Sequence, residues 1–335
     1  MGHIKNLKTI GQAFRGKSLL LPVAAFAFLL TLPFSIGDMI VGSSELNPAT
    51  DPSTILNRYG EVIYRYNVKS PRQLFVIGMS HRDSLTRRNG SQTSRVQGEV
   101  CKIGEWLIHH RGLELLLPEG YSAGKGGTVK AENVIGAIEK NRGCPVPFDM
   151  DTLEEILSDN RTFINAEILL RKNYPSLQLR QVEDRALYET ARKRITELID
   201  QKNSCDYLLL RSELDYLQER RTAAILQRIP EIVNEEFQKG NIKSRKAILT
   251  VGIFHVHKII RYLNDRRITV YAPLGKSGRG EDYTAELSLA KENFGVTIIL
   301  PRTLADDEKI LRINRLDEIV KQRTGVSLLS SAVLP

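Results

Sequence analysis

Two stretches of this chain share one pattern, and they restrict its fold more than any other feature. Leu74–Ile77 is an apolar run that stops at Gly78 and reaches His81 three residues later. About 170 residues on, Ala247–Val251 stops at Gly252 and reaches His255 at the same spacing. A short apolar run bounded by glycine reads as a buried strand, and glycine lets the backbone turn sharply out of the sheet. Two of the six histidines thus follow two strand ends.

Further strands are expected at Leu113–Leu117, Leu177–Val182, Ile268–Ala272 and Val296–Leu300, with Glu61–Val68 as an edge strand or hairpin arm. Helical spacing fills the gaps. One helix runs from Ser94 to Gly112, buried through Val96, Val100, Ile103 and Leu107. Others are expected at Lys130–Lys140 and Asp151–Lys172, the second opening on the capping pattern DTLEE. A long helical segment, Asp184–Lys239, breaks near Asn203-Ser204, and Pro230 is expected to kink or divide it. Leu210, Leu214, Leu217, Arg221 and Ala224 share one face of it, an arginine among apolar neighbours. Helices through Ile259, Ile260 and Leu263, at Tyr283–Phe294 and at Leu304–Arg323 complete the pattern. Strands alternating with helices make this an α/β chain with a largely parallel central sheet covered by helices, and a long helical insertion before the second glycine–histidine strand.

Residues 1–43 read as a signal peptide or N-terminal membrane anchor with the start of a linker. Lys5, Lys8, Arg15 and Lys17 precede an uncharged apolar stretch that lasts to Asp38. Residues 44–325 read as a single domain, with 184–239 as its helical insertion, and 326–335 as a tail. The leader places the body outside the cytoplasm, secreted or anchored to the cell envelope. The four cations that precede Asp38 carry about four of the nine net positive charges, leaving roughly +5 for the rest of the chain. Those remaining charges alternate in sign along helices, without a basic stripe or aromatic platform, so nucleic acid is not an expected partner. Cys101, Cys144 and Cys205 form no CxxC pair, and an odd count excludes a full disulfide framework. The loop Ala123–Gly127 lacks the ending of a phosphate-binding loop.

In a parallel sheet the carboxyl ends of the strands share one edge, where sites gather. His81, Glu119, Glu183 and His255 each follow an expected strand, which puts two imidazoles and two carboxylates on that edge. Glu183 reads equally well as an acid in the first turn of the next helix. Mixed histidine and carboxylate sets suit divalent Zn, Mn, Fe or Co. Such an ion lowers the pKa of bound water toward ~7 and polarises a carbonyl, the chemistry of hydrolysis. A spare carboxylate serves as general base, and an arginine as the partner of a developing oxyanion. His109 and His110, about 100° apart in a helix's last turn, do not converge on one ligand.

GMSHRDS (Gly78–Ser84), LELLLPEG (Leu113–Gly120), QERRTAA (Gln218–Ala224) and TVGIFHVHKIIRYL (Thr250–Leu263), in that order, resemble the TraB/Tiki/erythromycin-esterase superfamily. The likeness runs from Leu74 to Leu263 on short motifs. It implies that His81 and His255 are the signature histidines, that Glu119 is the glutamate after the second strand, and that Arg220 is the helical arginine. The superfamily includes metal-dependent proteases, esterases, pheromone-shutdown proteins and ChaN-like haem-binding proteins. Met79 stands where the esterases carry glutamate, so the TraB/Tiki form fits better. The resemblance therefore implies an extracytoplasmic metal-dependent hydrolase of peptide or ester bonds. In it His81, His255 and Glu119 are ligands of Mn, Co, Fe or Zn, Glu119 is ligand or base, Arg220 stabilises the transition state, and Glu183 is a further catalytic candidate. The alternative is a non-catalytic protein of the same fold that sequesters a peptide or haem. Expected partners are a peptide or small-molecule substrate and, through a retained leader, the membrane.

Overall fold

The computed structural model describes residues 52–80, 90, 92–120, 149–158, 164–201, 206–275, 278–279 and 281–322. The leader, the tail, His81 and the expected helix Lys130–Lys140 lie outside them. Strands among these residues are β1 (Gly60–Tyr66), β2 (Gln73–Met79), β3 (Leu115–Pro118), β4 (Gln178–Leu179), β5 (Lys246–Gly252), β6 (Arg267–Val270), β7 (Leu274–Gly275), β8 (Gly278–Arg279), β9 (Tyr283–Glu286) and β10 (Gly295–Pro301). Six of them form one sheet in the order β1-β10-β2-β5-β3-β4. Only the edge strand β1 runs antiparallel to its neighbour; every other pairing is parallel.

The central strands are apolar at nearly every position because both faces are covered. Leu74 and Val76, with Ala247, Leu249, Val251, Leu115, Leu117, Val296, Ile298 and Leu300, enter one core. The alternate residues Phe75, Ile77 and Met79, with Ile248, Leu116 and Ile299, enter the other. This period of two is what a pleated strand imposes. The named helices are α1 (Pro52–Tyr59), α2 (Thr93–Arg111), α3 (Met150–Ser158), α4 (Ala166–Asn173), α5 (Arg185–Asp200), α6 (Tyr207–Gln238) and α7 (Ile253–Asp265). The first core is closed by α6 and α7, through Ala223, Leu226, Ile229 and Val233 and through Val256, Ile259, Ile260 and Leu263. The second is closed by α2, α3 and α4. The result is an α/β fold of three layers, helices on both faces of a largely parallel sheet.

Several expected elements take a different form. Asp151–Lys172 is not one helix: α3 ends at Ser158 and α4 begins at Ala166, capped by the Asn165 side chain, which accepts from the Ile168 N–H at 2.9 Å. Leu177–Val182 contributes only Gln178–Leu179 to the sheet. Tyr283–Phe294 splits into strand β9 and a short turn of helix at Ser288–Lys291, because Tyr283–Glu286 pairs antiparallel with β6 in a separate two-stranded sheet. That pairing also keeps β6 out of the central sheet. The expected helix Leu304–Arg323 is broken into Arg302–Ala305, Glu308–Ile313 and a further turn at 317–322. Pro230 does not divide α6, which continues to Gln238. An interior proline costs ~3 kcal/mol, but Leu226, Ile229, Ile232 and Val233 bury the helix on both sides of it. No helix among the described residues is long and apolar enough to cross a membrane.

Candidate functional site at the carboxyl edge of the sheet

At the carboxyl edge Met79 stands opposite Gly252, and Pro118 opposite Thr250. The Glu119 N–H donates to the Thr250 carbonyl at 2.8 Å, extending the β3–β5 pairing by one residue. Glu119 and Gly252 are thereby brought side by side. Gly252 ends β5 and serves as the N-cap of α7, so His255 falls at the third helical position. Side chains in a first helical turn lean back toward the N-terminus, which returns the imidazole to the strand ends. That is the physical content of the Gly-x-x-His spacing at 252–255.

The spacing at 78–81 has another origin. Gly78 lies inside β2 and pairs with Val251, one position out of step with Gly252. A Cβ at Gly78 would meet Val256 Cγ2 and Leu300 Cδ2 at 2.7 Å each, so this glycine lets α7 approach the sheet. The two glycines are not equivalent, and His81 lies outside the described residues.

Three carboxyl-edge side chains and one helix meet in a buried polar network. Arg221 of α6 is 2% exposed, Glu183 and His255 3%, and Glu119 8%. Arg221 grips Glu183 at both oxygens, Nη2 to Oε1 at 2.8 Å and Nε to Oε2 at 3.2 Å. Its Nη2 also donates to Glu119 Oε1 at 3.1 Å, and Nη1 to Gln218 Oε1 at 2.5 Å. Glu119 Oε2 accepts the Gly252 N–H at 2.6 Å. His255 Nε2 lies 3.0 Å from Glu119 Oε1, and its Nδ1 lies 2.6 Å from Thr222 Oγ1. The Arg228 guanidinium binds the carbonyls of Val182 and Glu183, holding the latter's backbone. Tyr188 of α5 supplies an aromatic ring 5.3 Å from the Arg221 guanidinium.

Two carboxylates face one guanidinium in a place with little water. Burial pushes the Glu183 carboxyl up to about 7, against the pull of Arg221 and with the help of the Glu119 charge. Burial also lowers His255 below its ordinary value, opposed by Glu119. Burial works against the charge on Arg221, yet its two carboxylate partners raise its pKa. The network therefore holds its positive charge firmly, while Glu183 exchanges a proton near neutrality.

Glu119, Glu183 and His255 are thus brought together as the sequence suggests. Glu183 is not a first-turn helix acid: Asp184 caps α5, accepting from the Leu187 N–H, and Glu183 turns inward to Arg221. The arginine in the network is Arg221 and not Arg220. One position along a helix is a rotation of about 100°, and Arg220 stacks instead on the rings of Tyr283 at 4.1 Å and Tyr216 at 5.9 Å. Sequence reasoning missed Gln218 and Thr222. Their signal was present, since Gln218, Arg221 and Thr222 interrupt a helix face otherwise made of Leu214, Ile225 and Ile229. His257, half-buried on α7, has its pKa lowered by burial.

The implied metal can be tested against these side chains. Glu119 Oε1 and His255 Nε2 are 3.0 Å apart, the separation of neighbouring ligands on one ion held at ~2.0–2.2 Å. A second bond from Nδ1, here to Thr222, is how metal-bound imidazoles are oriented. These two residues fit as donors. Glu183 fits less well, because Arg221 spans both of its oxygens, whereas only Oε1 of Glu119 is shared with that guanidinium. No group of three or more metal-binding side chains is assembled among the described residues.

No protein-family model, curated protein or solved structure matches the chain. The likeness to the TraB/Tiki superfamily therefore rests on the sequence motifs alone.

Proposed function

We propose that the carboxyl-edge network is the centre of a hydrolase that acts on peptide or ester bonds outside the cytoplasm. The observation that carries this reading is the Glu119–His255 pair. A carboxylate and an imidazole lie 3.0 Å apart; the Gly252 N–H holds the carboxylate's other oxygen, Arg221 shares the oxygen that faces the imidazole, and Thr222 lies against the imidazole's other nitrogen. A pair held this way moves a proton between one substrate atom and the next without reorganising, which is what general acid–base catalysis requires. Glu183, with a pKa of about 7, adds a second group that gives or takes a proton at neutral pH. Arg221 keeps both carboxylates in place. In this reading a divalent ion of the Mn, Co, Fe or Zn type would be held by Glu119 and His255 together with His81, and would supply an activated water and a polarised carbonyl.

A second reading, a non-catalytic protein of the same fold that sequesters a peptide or haem, is favoured by the burial of the network. Glu119, its most open member, is only 8% exposed.

One experiment separates the two. The chain, His255→Ala and Glu119→Ala are assayed against a peptide library and simple esters, as purified and after loading with each of the four ions. Their folding is compared by circular dichroism. Cleavage that both substitutions abolish supports the hydrolase. Cleavage that persists in folded variants, or no cleavage under any loading, removes it. Retained peptide or haem capture without turnover would then select the binding protein.

A further inference from the structure

We propose that Arg220, with Tyr216 and Tyr283, forms a subsite beside the polar network that binds a carboxylate carried by a peptide ligand. Arg220 stands between Gln218 and Arg221 on α6, so its backbone belongs to the helical turn that serves the network. Its side chain leaves that turn in another direction. The guanidinium lies over the Tyr283 ring at 4.1 Å and is 5.9 Å from the centre of the Tyr216 ring. Its Nη1 donates to the Tyr216 hydroxyl oxygen at 3.2 Å. A guanidinium has five N–H groups, and this is the one hydrogen bond that the Arg220 side chain makes among the described residues. It forms no ion pair with any of them. Stacking on a ring occupies the face of the guanidinium and leaves its donor edge open, the edge that grips a carboxylate at both oxygens.

The acids nearest along α6 are committed elsewhere. Glu219 is bound by Arg261 and by the Tyr262 hydroxyl, and Asp215 lies 3.7 Å from Arg211. Arg220 is thus a partly buried cation whose neutralising partner is not supplied by its own helix. The Tyr216 hydroxyl, which accepts from Arg220, keeps its own hydrogen to donate. The fork is also set in advance. Gln227, two turns along the same side of α6, donates to the Glu286 carbonyl at 2.7 Å and accepts the Ser288 N–H at 2.8 Å. It thereby fastens β9 to α6 and holds Tyr283, which pairs with Val270 of β6, against the guanidinium. Order present before binding does not have to be created by it. One residue beyond Val270, Tyr271 is 62% exposed. An aromatic rim beside a cation suits a carboxylate carried on a peptide better than a bare inorganic anion.

That the ligand is a substrate rests on the hydrolase reading above, whereas the preference for a carboxylate does not. Binding to the full chain is measured by titration calorimetry with two pairs of N-acetylated peptides. One pair is pentaalanine as free acid and as amide; the other is an amidated alanine peptide with a central glutamate or glutamine. At least one acid is expected to bind about tenfold or more tighter than its uncharged partner. The first pair reports a terminal carboxylate as the source and the second a side chain. Arg220→Met is expected to abolish the preference, and Arg220→Lys, a charge without the planar fork, to lose most of it. Folding of both is compared by circular dichroism, and the lysine variant decides where the methionine variant does not fold. Equal affinity within both pairs, no binding of either acid, or a preference unchanged in a folded variant overturns the proposal. A preference that Arg220→Met removes, in a chain that cleaves nothing, leaves the subsite standing and removes the hydrolase. Cleavage that needs Glu119 and His255, with equal affinity within both pairs, removes the subsite and leaves the hydrolase.

Discussion

The carboxylate of Glu119 accepts the backbone N–H of Gly252 at 2.6 Å, so the residue after β3 is fastened to the residue that ends β5 and starts α7. An anionic group at a helix start is favoured by the helix dipole. Its other oxygen takes Arg221 Nη2 and faces His255 Nε2, and both oxygens are therefore in use. An amide cannot copy this, because one of its two ends would point N–H groups at an N–H donor. Glu119→Gln is expected to lose about 1–3 kcal/mol of stability, measured by urea unfolding. Any hydrolytic rate is expected to fall by about 10²–10⁴-fold. A variant as stable and as active as the wild type would show that the carboxylate does nothing here that an amide cannot.

Arg221 and Arg220 make a matched pair for comparison. Arg221→Met leaves two buried carboxylates without their cation and is expected to cost about 3–5 kcal/mol near pH 8. The cost is expected to shrink toward pH 5, where the carboxyls take protons instead. Arg220→Met removes a stack on Tyr283 and is expected to cost about 0.5–1 kcal/mol at either pH. Equal losses in denaturant titrations would contradict the assignment of Arg221 to the network.

Glu183 imposes a pH dependence whose sign is opposite to that of an ordinary ion-paired acid. Its folded pKa of about 7 lies above the ordinary 4.5. Between those values the folded chain keeps a proton that the unfolded chain has released, so stability falls as pH rises from 4.5 through about 7. His255, lowered below 6.5, acts in the other direction and removes stability as pH falls below 6.5. The thermal midpoint of the wild type minus that of Glu183→Gln, followed from pH 5 to 8, is expected to decline. A difference that stays flat or rises would mean that Glu183 is not held protonated.

Gly78→Ala tests whether packing sets the position of His255. The added methyl would press on Val256, one residue along α7 from the imidazole, and on Leu300 of β10, both wholly buried. Overpacking of this kind costs about 1–3 kcal/mol. Val256 is expected to give way and carry α7 with it, so the His255 15N signals are expected to shift with the loss of stability. Unchanged signals would show that the helix accommodates the methyl elsewhere.

Much of this arrangement could be read from the chain because buried parallel strands announce themselves. The runs at Leu74, Leu113, Ala247 and Val296 each gave a strand, and Gly112 ends α2 with a positive φ of 61°. Where pattern and propensity disagree, tertiary pairing decides. Tyr283–Glu286 looks helical beside Ser288–Lys291 yet pairs with β6, and Leu177–Val182 is apolar enough for a longer strand than β3 accepts. Within the site, Glu119, Glu183 and His255 were legible as chemistry at strand ends. Arg221 was visible only as an oddity on an apolar face. The motif likeness pointed to its neighbour, and no spacing rule in the sequence separates adjacent arginines that a helix sends in different directions. Gln218 and Thr222 showed only as polar interruptions of the same face, and a threonine in a helix looks ordinary until its partner on another element is known.

The place of β5 between β2 and β3 has a consequence during synthesis. Its two neighbours leave the ribosome long before it does, and a chain made only as far as α6 has the sheet's centre missing. Both strands then present unpaired edges, the state most open to pairing with the wrong chain. Glu119 and Glu183 are present by then, and so is the arginine that neutralises them, but Gly252 and His255 are not. The polar network can close only when β5 enters the gap between β2 and β3, so the site forms in the same step that joins those two strands.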